Sequence, residues 1–206
     1  VAKNTSRGVT SKIGSADLLS NLDVKISSDV NLAQACLNGA GLAFLFAPNF
    51  FPTLRRVADI RRSLGVRTTL NLLGALSNPS NAPRQILGVW HPSLIEPMAQ
   101  ALALLGTKKA WVVHGSDGLD EITLSGKTFV VEVSGNKIKK FQISPEDFGL
   151  NKAEIKHLKV KTSEESAAIV KDVLASKRRD EARNLVVINS AAALLVGDKA
   201  KDPMQA

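Results

Sequence analysis

The chain has 206 residues, 44% of them hydrophobic, enough to bury a sizeable core and to exclude general disorder. Its net charge is +8 and only 4% of its residues are aromatic, with no tyrosine. The charge allows an anionic partner, while the scarcity of rings argues against a platform for stacked nucleic-acid bases. No apolar run approaches the ~18–20 residues of a membrane helix. Residues 1–12 are polar and basic, so no signal peptide is read. A single cysteine, Cys36, excludes an internal disulfide framework and fits a reducing, cytoplasmic compartment. Cys36 sits in the apolar stretch LAQACL and is expected to pack.

Residues 1–3 read as the tail of a strand. Gly14 or Ser15 opens a helix through ADLLSNL, with Asp17 in its first turn. Ser27–Ser28–Asp29 starts a second helix reaching Asn38 and ended by Gly39. Leu42–Phe46 is an apolar run of strand length. Pro52 suits the first turn of a helix over TLRRVADIRRSLG, stopped by Gly65, and a further helical piece covers Thr68–Leu73. Asn78–Pro79 and Ala82–Pro83 mark a fixed turn. A strand at Gln85–Trp90, a helix at Pro92–Leu105 and a strand at Lys109–His114 follow. Lys127–Val133 and Lys137–Ile143 form a hairpin around Gly135–Asn136. Helices at Ser163–Ala175 and Asp180–Leu195 close the chain. Alternating strands and helices predict an α/β fold, with a mainly parallel sheet flanked by helices. Ligands of such sheets bind at the carboxyl ends of the strands.

Two segments there carry candidate chemistry. The loop KNTSRGVTSKIGSAD, residues 3–17, combines Lys3, Arg7 and Lys12 with the hydroxyls of Thr5, Ser6, Thr10 and Ser11. Gly8 lets the backbone approach a ligand, and Ser15 stands at a helix start. Cations, hydroxyls and a helix start together suit a phosphate group; a basic surface loop with a capping serine is the alternative. The segment HGSDGLDE, residues 114–121, places Asp120 and Glu121 side by side after a strand. Adjacent carboxylates of this kind suit Mg2+; the alternative is an Asp-Gly turn with a solvated acid pair. His114 at the strand end is expected to bond to backbone. Arg61, Arg62 and Arg67 form an arginine cluster able to grip a carboxylate or to pair at the surface.

The stretches GVTSK-GSAD-L, IRRSLGVRT-NLLG-L-NP-N, Q-LGV, HG-DGLDE, PEDFGL and INSAAALL, in this order, resemble the anthranilate phosphoribosyltransferase family over essentially the whole chain. The resemblance implies that residues 1–206 are a partial catalytic domain of the nucleoside phosphorylase and phosphoribosyltransferase type. The family's helical N-terminal domain and glycine-rich loop are expected to lie upstream of Val1. It implies that phosphoribosyl pyrophosphate is bound by Lys3, Asn4, Thr5, Ser6, Arg7, Gly8, Val9, Thr10, Ser11 and Ser15. It further implies anthranilate at Ser6 and Arg61, Mg2+ at Asp120 and Glu121, and a homodimer when full length. The implied reaction transfers phosphoribose to the amine of anthranilate in tryptophan biosynthesis and needs no protein nucleophile, so no catalytic residue is assigned.

The chain departs from the family at several positions. Family members read K-H-G-N-R where this chain has Lys3-Asn4-Thr5-Ser6-Arg7, histidine where Phe51 stands and proline where Ala75 stands. Several of these positions line the family's acceptor side, whereas Lys3, Arg7, Ser11, Ser15, Arg61 and the acids Asp120 and Glu121 match, so the donor half is expected to be intact and the acceptor half altered. A related phosphoribosyltransferase with another acceptor is the second reading. A non-catalytic nucleic-acid binder is the third, and the acid pair argues against it, since acids gain a phosphate-backbone binder nothing.

Overall fold

The computed structural model describes residues 1–6, 13–26, 29–46, 50–51, 56, 60, 63, 66 and 68–206. Two compact units emerge, one formed by Val1–Ala82 with Val160–Asp172 and the other by Pro83–Lys159 with Val173–Ala206. The α/β expectation holds in both, with a parallel strand pair in each. The arginine-rich segment predicted as a helix after Pro52 lies largely outside the described residues.

In the first unit, β1 (Ala2–Thr5) pairs in parallel with β2 (Ala43–Phe46), Ala2 opposite Ala43 and Thr5 opposite Phe46. Ala43 and Leu45 turn one face of β2 inward. Helix α1 (Ser15–Asn21) buries Ala16 and Leu19. Asp17 closes its N-terminus by accepting from the Gly14 amide at 2.9 Å. Helix α2 (Val30–Ala40) starts on Asp29, whose carboxylate accepts from the Asn31 amide at 2.8 Å. It runs through Gly39, the expected stop, and ends on Gly41, whose φ of 69° is the left-handed conformation a helix end favours. The half-buried Ala33 and Leu37 are one turn apart; Cys36 falls on the flank of that stripe and is exposed, not packed. Helix α3 (Thr69–Leu76) is followed by the Asn78–Pro79 turn. Asn78 ties that turn down by donating to the Ala2 carbonyl at 3.1 Å and accepting from the Ser80 amide at 3.0 Å. Helix α5 (Ser163–Leu174) belongs to this unit through Asp172.

The second unit is built on a four-stranded sheet in the order β3-β4-β5-β6. β3 (Arg84–Gly88) and β4 (Lys109–Gly115) are parallel, and the predicted hairpin of β5 (Thr128–Ser134) and β6 (Lys137–Ile143) adds two antiparallel pairings. The strand after Arg84 stops at Gly88 rather than Trp90. The helix expected from Pro92 begins with a single 3-10 turn, Pro92–Leu94, before α4 (Ile95–Leu104). β4 is buried along Ala110–Gly115. Its odd positions Trp111 and Val113 join Ile188, Ala192, Leu195 and Val196 of α6 (Glu181–Val196) in the core. Its even positions Ala110 and Val112 turn the other way. α4 packs against β4 and β5 and buries Met98, Ala99 and Leu102. Phe141 meets the Trp111 ring edge-on at 5.5 Å, and the Trp111 indole donates to Glu132 at 2.7 Å. β6 has one partner among the described strands, and its residues 137–140 are exposed.

The opposite end of this sheet is closed by charge. Lys109 donates to Asp198 at 2.7 Å and to the Leu195 carbonyl at 2.9 Å, and Arg84 also bonds to Asp198. Hydrogen bonds from Lys109 and then Arg84 lower the Asp198 carboxyl from its ordinary 3.8 to about 2. A depressed carboxyl stabilises the fold above its unfolded pKa, and that contribution fades as pH falls through the folded value. Asp198→Asn should therefore lower the thermal midpoint above pH 4, with the gap to wild type closing between about pH 4 and pH 2. A midpoint difference unchanged across that window in calorimetry would refute the assignment. Asp198 is exposed, so the effect is small.

Candidate functional site

At the carboxyl end of β4, residues 116–121 turn the chain from a buried strand to the acid pair and back into the core at Ile122. The turn is held by its own polar groups. Gly115 donates to the Leu119 carbonyl at 2.7 Å, and Gly118, at φ 90°, donates to the Gly115 carbonyl at 2.9 Å. Asp117 accepts from the Leu119 amide at 3.2 Å and from the Thr123 hydroxyl at 2.8 Å. Thr123 in turn accepts from the Ser125 amide at 2.9 Å, and its own amide donates to the Thr128 hydroxyl at 3.1 Å. Thr123 and Thr128 are completely buried. Asp117–Gly118 is thus an Asp-Gly turn with the aspartate used structurally, as the alternative reading of this segment expected. His114 is buried and its Nδ1 lies 2.7 Å from the Val89 carbonyl, in agreement with the structural role expected of it.

Asp120 and Glu121 remain exposed at the crest of this turn. Ile122, Thr123 and Leu124, the next three residues, are wholly buried, so the acids stand where the chain re-enters the core. The donor set fits magnesium in kind. Two adjacent carboxylates offer hard oxygens, and Mg2+ completes its shell with water and phosphate oxygens. Among the described residues no cluster of three or more histidine, cysteine, aspartate or glutamate side chains forms an all-protein cage. These acids would hold the ion together with a substrate.

In the first unit, the end of β1 and the start of α1 come together. The Ser6 amide donates to the Ser15 hydroxyl oxygen at 3.3 Å, and the Ala16 amide donates to the Ser6 carbonyl at 3.1 Å. Lys3 and Ser6 are exposed. Thr5 is buried, opposite Phe46 in the β1–β2 pair, and its hydroxyl donates to the Leu45 carbonyl at 3.1 Å. Asn4 donates to the Gly74 carbonyl at 3.0 Å, while its buried Oδ1 has no hydrogen-bond partner among the described residues. Arg7, Gly8, Val9, Thr10, Ser11 and Arg61 lie outside the described residues. A hollow of about 520 Å3 in this unit is lined by Ala16, Ser20, Asp23, Val24, Lys25, Ile26 and Phe46, and among the described residues no predicted site residue lines it.

Two residues next to the acid pair were missed in the sequence. A Cβ built on Gly88 would fall 1.6 Å from the Asp120 carbonyl oxygen, so the backbone of the acid pair rests directly on β3. Asn189 of α6 donates to the Ile122 carbonyl at 2.9 Å and accepts from the Ile122 amide at 3.0 Å. The only local signal for Asn189 is a poor helix former inside the apolar run LVVINSAAALLV.

The residue pattern of the glycosyl transferase family, a/b domain, matches residues 1–206. The chain is 45% identical over 202 residues to the anthranilate phosphoribosyltransferase of Clostridium kluyveri, covering 98% of this chain and 60% of that protein. It is 42% identical over 200 residues to the anthranilate phosphoribosyltransferase of Nitrosomonas europaea, covering 97% of this chain and 58% of that protein. The crystal structure of anthranilate phosphoribosyltransferase from Thermus thermophilus matches with a TM-score of 0.88 at 38% identity, over 97% of this chain and 59% of that one. The Saccharomyces cerevisiae enzyme in complex with PRPP and Mg matches with a TM-score of 0.85 at 27% identity, over 98% of this chain and 57% of that one. The chain thus spans about 60% of the length of the curated relatives it matches.

Proposed function

Because the chain belongs to the glycosyl transferase family through that family's a/b domain, we propose that its protein transfers phosphoribose from phosphoribosyl pyrophosphate to the amine of anthranilate, releasing pyrophosphate. The observation that carries this reading is the exposed Asp120–Glu121 pair at the carboxyl end of a buried strand, in a chain that is 45% identical to an anthranilate phosphoribosyltransferase. Asp120 and Glu121 would hold Mg2+. Bound there with the substrate, the ion would neutralise charge developing on the departing pyrophosphate. The exposed Lys3 would offer its ammonium to the donor's phosphates, and Ser6 and Ser15, joined by a bond from the Ser6 amide to the Ser15 hydroxyl, would offer hydroxyls. Arg7, Gly8, Val9, Thr10 and Ser11, which follow Ser6 in sequence, would complete the donor contacts. Arg61 would grip the anthranilate carboxylate through its planar fork. No side chain attacks the sugar, so the protein's part is to hold two substrates in register and to exclude competing water. The same reading makes the full-length protein a cytoplasmic homodimer. Among the described residues no helix is long and apolar enough to cross a membrane.

A second reading keeps the donor and changes the acceptor. It is favoured by Asn4, whose buried Oδ1 has no hydrogen-bond partner among the described residues, at a position where the resemblance expects histidine. One experiment separates the two. The full-length protein with phosphoribosyl pyrophosphate, anthranilate and MgCl2 should quench anthranilate fluorescence and release pyrophosphate in equal amounts. A folded protein that does neither refutes the first reading. Pyrophosphate release with another amine, but not with anthranilate, supports the second.

A further inference from the structure

The backbone carrying the acid pair is pinned on both sides, and the second pin comes from a residue 67 positions away in sequence. Asn189 projects from the middle of α6. Its carbonyl oxygen accepts the Ile122 amide at 3.0 Å, and its amide nitrogen donates both to the Ile122 carbonyl at 2.9 Å and to the Leu185 carbonyl at 3.0 Å. All three bonds agree on one amide orientation. The flipped amide would set its oxygen against two carbonyls and its nitrogen against an N–H. The bond to Leu185, one turn back along the helix, holds the side chain in place while its other two bonds engage the loop. On the near side, the Asp120 carbonyl sits over Gly88, where any Cβ would collide with it. Glu121 therefore lies between two fixed peptides, while both carboxylates stay exposed.

We propose that Asn189 is a positioning residue for the metal site, clamping the Ile122 backbone so that the Asp120 and Glu121 carboxylates keep a fixed spacing and direction. This rests on the reading of that pair as the magnesium ligands. The chemistry requires such a device. Mg2+ demands near-octahedral angles and binds few protein ligands, so a drifting carboxylate costs it more than it would cost a larger ion. Neighbours that orient ligands act on metal affinity even though they never touch the ion. Asparagine is also a poor choice for a helix interior, and a leucine or alanine there would favour the helix more.

The test is Mn2+ binding to the full-length protein with phosphoribosyl pyrophosphate present, read by electron paramagnetic resonance. It is measured for wild type, Asn189→Ala, Asn189→Asp and the double variant Asp120→Ala with Glu121→Ala. Asn189→Ala should weaken Mn2+ binding about tenfold, the scale at which partners that orient metal ligands act. Asn189→Asp keeps the acceptor arm and loses the donor arms, and should fall between wild type and alanine. In turnover, the Mg2+ concentration for half-maximal rate should rise while the KM for the acceptor stays within about twofold. Either Asn189 variant, folded by circular dichroism, that binds Mn2+ as wild type does while the double variant does not, overturns the clamp and leaves the metal reading standing. A double variant that binds Mn2+ normally overturns the metal reading, and the clamp with it. If both Asn189 variants fail to fold, the residue serves the fold rather than the site, and the proposal fails.

Discussion

Replacing Asp120 and Glu121 together by alanine should lower kcat/KM for phosphoribosyl pyrophosphate roughly a thousandfold, equivalent to about 4 kcal/mol of lost transition-state stabilisation. In the proposed reaction pyrophosphate would leave as a polyanion, and nothing else on the described turn could hold an ion to neutralise it. Asp117 is spent on Leu119 and Thr123, and His114 on Val89. Both acids are exposed, so the double variant should fold with an unchanged thermal midpoint. Each single variant should lose less, because the remaining carboxylate would still anchor the proposed ion. The check is a Mg2+ titration of turnover alongside a melting curve. A folded double variant with wild-type turnover would show that the acids are solvated bystanders.

Gly88→Ala should be the most damaging small substitution in the second unit. The added methyl would need the space now held by the Asp120 carbonyl oxygen, 1.6 Å away, with the carbonyl carbon at 2.6 Å. That obstacle is main chain and cannot rotate aside. Either β3 withdraws from β4, breaking a parallel ladder in which Gly88 lies opposite Val113, or the acid-bearing turn lifts. Overpacking of this kind costs about 3 kcal/mol, or a drop of ~6–12 °C in Tm for a chain of this size. The two escapes differ in what they spare. A lifted turn impairs metal binding more than stability, whereas a withdrawn strand lowers Tm first. A variant with wild-type Tm and wild-type Mg2+ dependence would contradict the contact.

What the sequence made legible is what depends on neighbours along the chain. The strand Lys109–His114, the Gly135–Asn136 hairpin and the helix after Asp180 are local patterns, and the structure has them within a residue or so. The acid pair was visible because both carboxylates come from one turn. Gly39 and Gly41 show where such reading stops. Both are glycines near a helix end, and only the backbone angle of 69° at Gly41 distinguishes the cap. Cys36 was misjudged because an apolar stretch does not reveal which stripe of a helix faces a strand. Gly88 and Asn189 were invisible for a different reason. Each matters through a segment more than thirty residues away, and no spacing rule connects a strand-end glycine or a mid-helix asparagine to a turn built elsewhere.

The lysines of β6 have a consequence beyond charge balance. A terminal strand presents unpaired N–H and C=O groups, a template on which another chain can add a strand. Lys137, Lys139 and Lys140 line that template and are exposed. An approaching copy would bring its own lysines against them, and their repulsion acts over the ~8 Å reach of charge at physiological salt. With Lys140 paired to Glu96, the charge left on Lys137 and Lys139 disfavours the addition of a second copy along that edge.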